Sequence, residues 1–97
     1  MALTRSQTRH LRGLTHAIEP VVTVADKGLS DNVRAEIETA LDHHELVKIK
    51  LRGERDQRSE WIEAIAADHR AELVHSVGQV ASFFRRNPEK PKIALPH

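Results

Sequence analysis

The sequence predicts an α/β (α+β) fold in two layers, a small mixed four-stranded sheet with helices packed on it. Apolar residues at helical spacing alternate with short β-branched runs, in the order α-β-α-β-α-β-β. The run Leu46-Val-Lys-Ile-Lys-Leu-Arg52 alternates strictly between apolar and basic residues, as a half-buried strand does. Two further strand-like runs flank Gly78-Gln79, a pair suited to a tight hairpin.

Leu3, Gln7, His10, Leu11 and Leu14 recur at helical spacing, with Thr4 or Ser6 as the cap and Gly13 as an early stop. Arg5, Arg9 and Arg12 then fall at i, i+4 and i+7, one basic stripe. Pro20 precedes Val21-Val-Thr-Val24, a β-branched run read as a buried strand. Ser30 is a good N-cap, and Leu29, Val33, Ile37, Ala40 and Leu41 trace the apolar stripe of a second helix ending at His43-His-Glu45.

Within the second strand-forming stretch, Val47, Ile49 and Leu51 face one way and Lys48, Lys50 and Arg52 the other. That is a dry face and a cationic face. Gly53 to Arg58 reads as a charged loop, followed by a helix marked by Trp61, Ile62, Ile65, Ala66 and His69. Leu73–Val77 and Val80–Arg85 form the hairpin. Pro88, Pro91 and Pro96 make the end of the chain, from about residue 87, an extended tail, to which Ile93-Ala-Leu95 adds a short edge segment.

The 97 residues suit one domain spanning 1–97. Absence of cysteine excludes disulfides, thiolate metal sites and thiol catalysis. The N-terminus lacks the apolar core of a signal peptide, and no apolar run is long enough to cross a bilayer. The expectation is a soluble cytoplasmic protein without membrane contact, with the monomer favoured. Seven histidines show no metal-ligand spacing, and no nucleophile–base arrangement appears. Neither a metal, a cofactor nor catalysis is expected.

Net charge is only +1, but the signs are segregated along the chain. Arg5, Arg9, Arg12 and Lys27 make the first quarter basic, and Lys48, Lys50 and Arg52 do the same for the lysine-rich strand. The tail region is basic through Arg85, Arg86, Lys90 and Lys92. The second and third helices are acidic. The turn Ala25-Asp-Lys-Gly28, between a strand and a helix start, offers backbone N–H groups of Lys27, Gly28 and Leu29 plus a lysine ammonium to a phosphate. Asp26 and Asp31 oppose that use. With one tryptophan, two phenylalanines and no tyrosine, the chain lacks the rings of a base-stacking platform.

Leu11-Arg-Gly-Leu14, Pro20-Val-Val22, Lys27-Gly-Leu29, His43-His-Glu-Leu-Val-Lys-Ile-Lys50, Val77-Gly78, Phe84-Arg85 and the Lys92-Ile-Ala-Leu-Pro96 tail occur in this order. Together they resemble the CRM domain, and more narrowly the single-domain bacterial YhbY-type RNA-binding proteins. The resemblance implies a fold similar to the C-terminal domain of translation initiation factor 3. It implies RNA binding, and association with ribosomal RNA in precursors of the large ribosomal subunit, as in ribosome biogenesis. It also implies a GxxG loop, likened to the backbone clamp of KH domains. Here the window is Ala25-Asp-Lys-Gly28, with alanine at the first glycine. Were that position to need a positive φ, alanine would cost about 1 kcal/mol.

The candidate RNA-binding residues are therefore Arg5, Arg9, Arg12, Lys27, Gly28, Leu29, Lys48, Lys50, Arg52, Arg85 and Arg86. The rival expectation is a protein–protein adaptor that docks a basic partner on the acidic helix faces.

Overall fold

Helices and strands alternate through the chain in a computed structural model that describes residues 2–97. They are α1 (Arg5–Thr15), β1 (Pro20–Val24), α2 (Asp31–His44), β2 (Leu46–Leu51), α3 (Arg55–His69), β3 (Glu72–Val77) and β4 (Val80–Phe84). The element order and the α+β class are those expected. The sheet runs β1-β2-β4-β3, with β1 parallel to β2 and the remaining pairs antiparallel. Gly78, with φ of 56°, and Gln79 make the two-residue hairpin loop.

One face of the sheet carries Val22, Val24, Val47, Ile49, Leu51, Ala81 and Phe83 against Ile37 and Leu41 of α2 and Ile65 of α3. On the other face, Leu46, Val74 and Phe84 pack on Leu11 of α1, flanked by Leu3, Leu14 and Ile18 and by Ile93 and Leu95 of the tail. The two-layer arrangement thus holds where α1 does not reach. At the end that α1 crosses, α1 and the tail add a further covering. Strand alternation sends Phe83 and Phe84 to opposite faces, yet both are buried, Phe84 at 2 % exposure.

Several local expectations shift. β1 is an edge strand, so only Val22 and Val24 face the core, while Thr23 is exposed and Val21 is 53 % exposed. α1 passes through Gly13 to Thr15, held at its start by a capping box in which Gln7 N–H donates to Thr4 Oγ1 and Thr4 N–H to Gln7 Oε1. α3 starts at Arg55 instead of after Arg58, because Glu54 N–H donates to Gln57 Oε1 and nucleates the turn inside a stretch that reads as loop. Ile93–Leu95 forms no strand.

The tail is clamped by one buried carboxylate. Glu45, fully buried, follows α2 with a positive φ of 60°. Its carboxylate accepts the N–H groups of Asn87 (2.6 Å), Lys92 (2.6 Å) and Ile93 (2.9 Å) and lies 3.2 Å from Arg86.

Candidate nucleic-acid interface

Parallel pairing of β1 and β2 brings the starts of α2 and α3 to the same end of the sheet. Arg52 N–H donates to Val24 O at 2.8 Å and Leu51 N–H to Gln79 O, so the two strand-to-helix loops and the hairpin tip adjoin. Lys27 and Arg52 are exposed there. In the first loop Gly28 N–H closes a turn onto Ala25 O at 2.8 Å, and Gly28 takes φ of 61°. Ala25 is not among the positive-φ residues, so alanine there carries no backbone penalty. The turn uses up the Gly28 N–H that the sequence offered to a phosphate. Lys27 N–H and Leu29 N–H, like Asp26 N–H, make no hydrogen bond among the described residues. Ser30 caps α2 by accepting Val33 N–H at 3.3 Å.

Trp61 braces this end. Its ring lies between the two glycine loops: a Cβ on Gly28 would sit 3.5 Å from Trp61 Nε1, and one on Gly53 only 2.8 Å from the six-membered ring and 2.7 Å from Gln57 Oε1. Arg58 donates to Gly53 O at 2.8 Å, holding the second loop against α3. A Gly53→Ala variant must push the indole aside, and chemical denaturation is expected to show a loss of about 1–3 kcal/mol. An unchanged midpoint would mean that Trp61 does not brace the loops.

The sheet face opposite α2 and α3 is where the cations gather. Antiparallel partners share a face, so Lys48, Ser82 and His75 form one row across three strands, and Lys50, Val80 and Val77 the next, beside Thr23. Lys50 and Thr23 are exposed, Lys48 and His75 half-buried, Ser82 buried. At 3.6 residues per turn, positions 5, 9, 12 and 16 fall within about 60° of arc on α1. His16 therefore continues the arginine stripe, and its ring meets the His75 ring edge-on with centroids 6.4 Å apart. That contact sets the C-terminal end of the stripe beside β3 on the open sheet face. The spacing of His16 from Arg12 was legible in the sequence; the position of His75 depended on a register shift between Leu73 and His75.

Arg85 and Arg86 are not part of this gathering. They follow β4 at the opposite end, where Leu46 pairs with Phe84. Arg85 bridges Glu38 (2.9 Å) and Asp42 (2.6 Å) of α2 and donates to His69 O of α3 (3.1 Å). Arg86 binds Glu45, donates to Ile93 O at 2.8 Å and lies 5.6 Å above the Phe84 ring. Both guanidiniums are engaged within the fold. Arg85, then His69, hold the Glu38 carboxyl below its ordinary value.

A division of labour results. The ion pairs among the described residues engage Arg34, His69, Arg85 and Arg86 with Glu38, Asp42, Glu45 and Asp68. None involves Arg5, Arg9, Arg12, Lys27, Lys48, Lys50 or Arg52. All of these but the half-buried Lys48 are exposed, and none has an ion-pair partner among the described residues, while Glu36, Glu60 and Glu63 expose acidic charge on α2 and α3. Among the described residues no three His, Asp or Glu side chains come together as a metal would require, and no helix is long and apolar enough to cross a membrane.

Comparison with known proteins agrees with this architecture. A candidate RNA-binding protein of Pseudomonas aeruginosa is 42 % identical over 93 residues, covering 95 % of this chain and 89 % of that one. An RNA-binding protein of Haemophilus influenzae is 40 % identical over 95 residues, covering 97 % and 95 %. The solution structure of a Staphylococcus aureus protein, described as a candidate RNA binder, superposes with a TM-score of 0.83 at 31 % identity, covering 98 % of this chain and 100 % of that one. The family model of the CRS1 / YhbY (CRM) domain matches residues 3–85. With its mixed four-stranded sheet, three helices and this match over most of its length, the chain belongs to the CRS1/YhbY (CRM) domain family.

Proposed function

We propose that the chain is a non-enzymatic RNA-binding protein, acting as one domain and without a cofactor, that engages structured ribosomal RNA in precursors of the large ribosomal subunit. The observation that carries the reading is the sorting of charge. Among the described residues, lysines and arginines from α1, β2 and the strand-to-helix loops make no ion pair, nor do Arg55, Arg58 and Arg70 on or beside α3, whereas the ion pairs present join α2 to the ends of α3 and β4. Unpaired cations held on a rigid sheet release counterions when they meet phosphates, which gives steeply salt-dependent binding. The names of the Pseudomonas and Haemophilus relatives support RNA as the partner class. The likeness of the sequence to YhbY-type proteins supports the ribosomal target.

The aromatic rings decide the mode. Phe83 and Phe84 are buried and Trp61 is held between two loops. Without exposed rings to stack splayed bases, contact runs through backbone and shape. In this reading Lys27, with the Lys27 and Leu29 N–H groups, Lys48, Lys50, Arg52 and the Arg5, Arg9, Arg12 stripe contact phosphates, in a cytoplasmic monomer. Crosslinking in cells followed by sequencing of the attached RNA is expected to return mostly large-subunit ribosomal RNA. Reads dominated by other transcripts would remove the ribosomal assignment, and absence of crosslinked RNA would remove RNA binding itself.

A further inference from the structure

We infer that His16 and His75 are RNA-contacting residues that join the α1 arginine stripe to the sheet lysines, so that RNA binding takes up protons. The inference rests on the RNA-binding reading above. His16 ends the stripe of Arg5, Arg9 and Arg12, and its ring lies against that of His75, on the far edge strand of the sheet. His75 is in register with Ser82 and through it with Lys48, two strands away, or roughly 10 Å. The stripe itself runs about 16 Å from Arg5 to His16. The two imidazoles carry the stripe onto the sheet row that holds Lys48, and the combined cations make a track long enough to follow an RNA backbone.

The groups around the imidazole pair make it a cation site. Arg9 and Arg12 on α1 and Lys48 and Lys50 on β2 are basic, and β4 carries no titratable side chain. Of the nearby carboxylates, Glu72 on β3 is at the far end of α1, where it accepts the Leu3 N–H at 3.1 Å, and Glu19 lies beyond the helix end. A phosphate laid across the pair would favour the charged imidazoles, since a nearby anion stabilises the cation. Imidazole is the side chain that makes this exchange near neutral pH.

The test is binding of a fluorescein-labelled RNA stem-loop, followed by anisotropy at about pH 8 and about pH 6 at constant salt. The wild-type protein is expected to bind about 5-fold more tightly at the lower pH, as one to two added phosphate contacts imply. In the His16→Gln/His75→Gln double variant the two affinities converge. A His10→Gln/His43→Gln variant, altered away from the stripe, keeps the wild-type response. NMR titration of the wild-type histidine ring protons, with and without the stem-loop, reads the same linkage without mutation. There, His16 and His75 hold their protons to higher pH when RNA is bound. An unchanged pH response in the His16→Gln/His75→Gln variant, or ring titrations that the RNA does not move, overturns the inference and leaves the RNA-binding reading standing. Failure of the wild-type protein to bind the stem-loop at either pH, even at low salt, overturns that reading as well.

Discussion

Replacing Lys48 and Lys50 together by glutamate is expected to weaken RNA binding by about 100-fold or more while leaving the fold intact. Lys50 is exposed, Lys48 half-buried, and neither side chain makes an ion pair among the described residues. Their removal therefore breaks no ion pair or side-chain hydrogen bond among the described residues, and far-UV circular dichroism should be unchanged. Each reversal deletes one phosphate contact and puts a carboxylate in its place, inside the row that faces Ser82 and Val80. Loss of two contacts should also flatten the plot of log affinity against log salt by about 1.5 to 2 units. Wild-type affinity in the double variant would show that the open sheet face is merely a solvated one. The adaptor reading is tested by reversing Glu36, Glu60 and Glu63, which are exposed and outside the ion pairs. Glu38 and Asp42 are unsuitable for this, because their loss would strip Arg85 of its partners. If ribosomal co-sedimentation disappears in the acidic variant and survives in the lysine variant, the helix faces are the docking surface.

What could be read from the residues alone was set by short-range physics. Alternation in Leu46–Leu51, the stripe from Leu29 to Leu41 and the Gly78-Gln79 turn depend on neighbours a few positions away, and each appears where expected. Lys48 and Lys50 follow from the same alternation. The errors lie where distant chain segments meet. Arg85 and Arg86 look like free tail cations, and only the return of β4 beside β2 brings them to Glu38, Asp42 and Glu45, some forty residues away. Val21 looks buried because valine usually is, but β1 is an edge strand with one neighbour. The phosphate loop was half legible. Lys27 and Gly28 stand at the strand-to-helix turn, but no local pattern reveals that the turn closes through the Gly28 N–H. Nor does any local pattern reveal that Trp61, thirty-three residues on, fills the space between two glycines.

Glu45→Gln is expected to cost about 3 kcal/mol and to release the tail, a large share of the 5–15 kcal/mol that holds a typical domain together. The carboxylate accepts three backbone N–H groups from residues 87–93 and an Arg86 guanidinium. A carboxamide offers one acceptor oxygen where there were two, turns an NH₂ toward N–H donors, and leaves the partly buried Arg86 without its counter-charge. Glu45→Gly separates this role from backbone strain. Glycine relaxes the positive φ, so if strain were the only issue the variant would be more stable than wild type. Loss of the clamp predicts instead that it is less stable. The acid limb of the stability curve supplies an independent check. Burial pushes the Glu45 carboxyl up, but the N–H groups of Asn87, Lys92 and Ile93 and the Arg86 side chain outweigh it and hold the group below its ordinary 4.5. Because the folded value is the lower one, the carboxylate's contribution is complete above about pH 4.5 and is lost as pH falls through the folded value. Glu38, also held low, titrates in the same window, so the diagnostic quantity is the difference between wild type and Glu45→Gln. That difference should shrink as acid is added, with amide exchange at Lys92 and Ile93 accelerating in parallel. A gap independent of pH across that range would mean the carboxylate is not the group that fastens the tail.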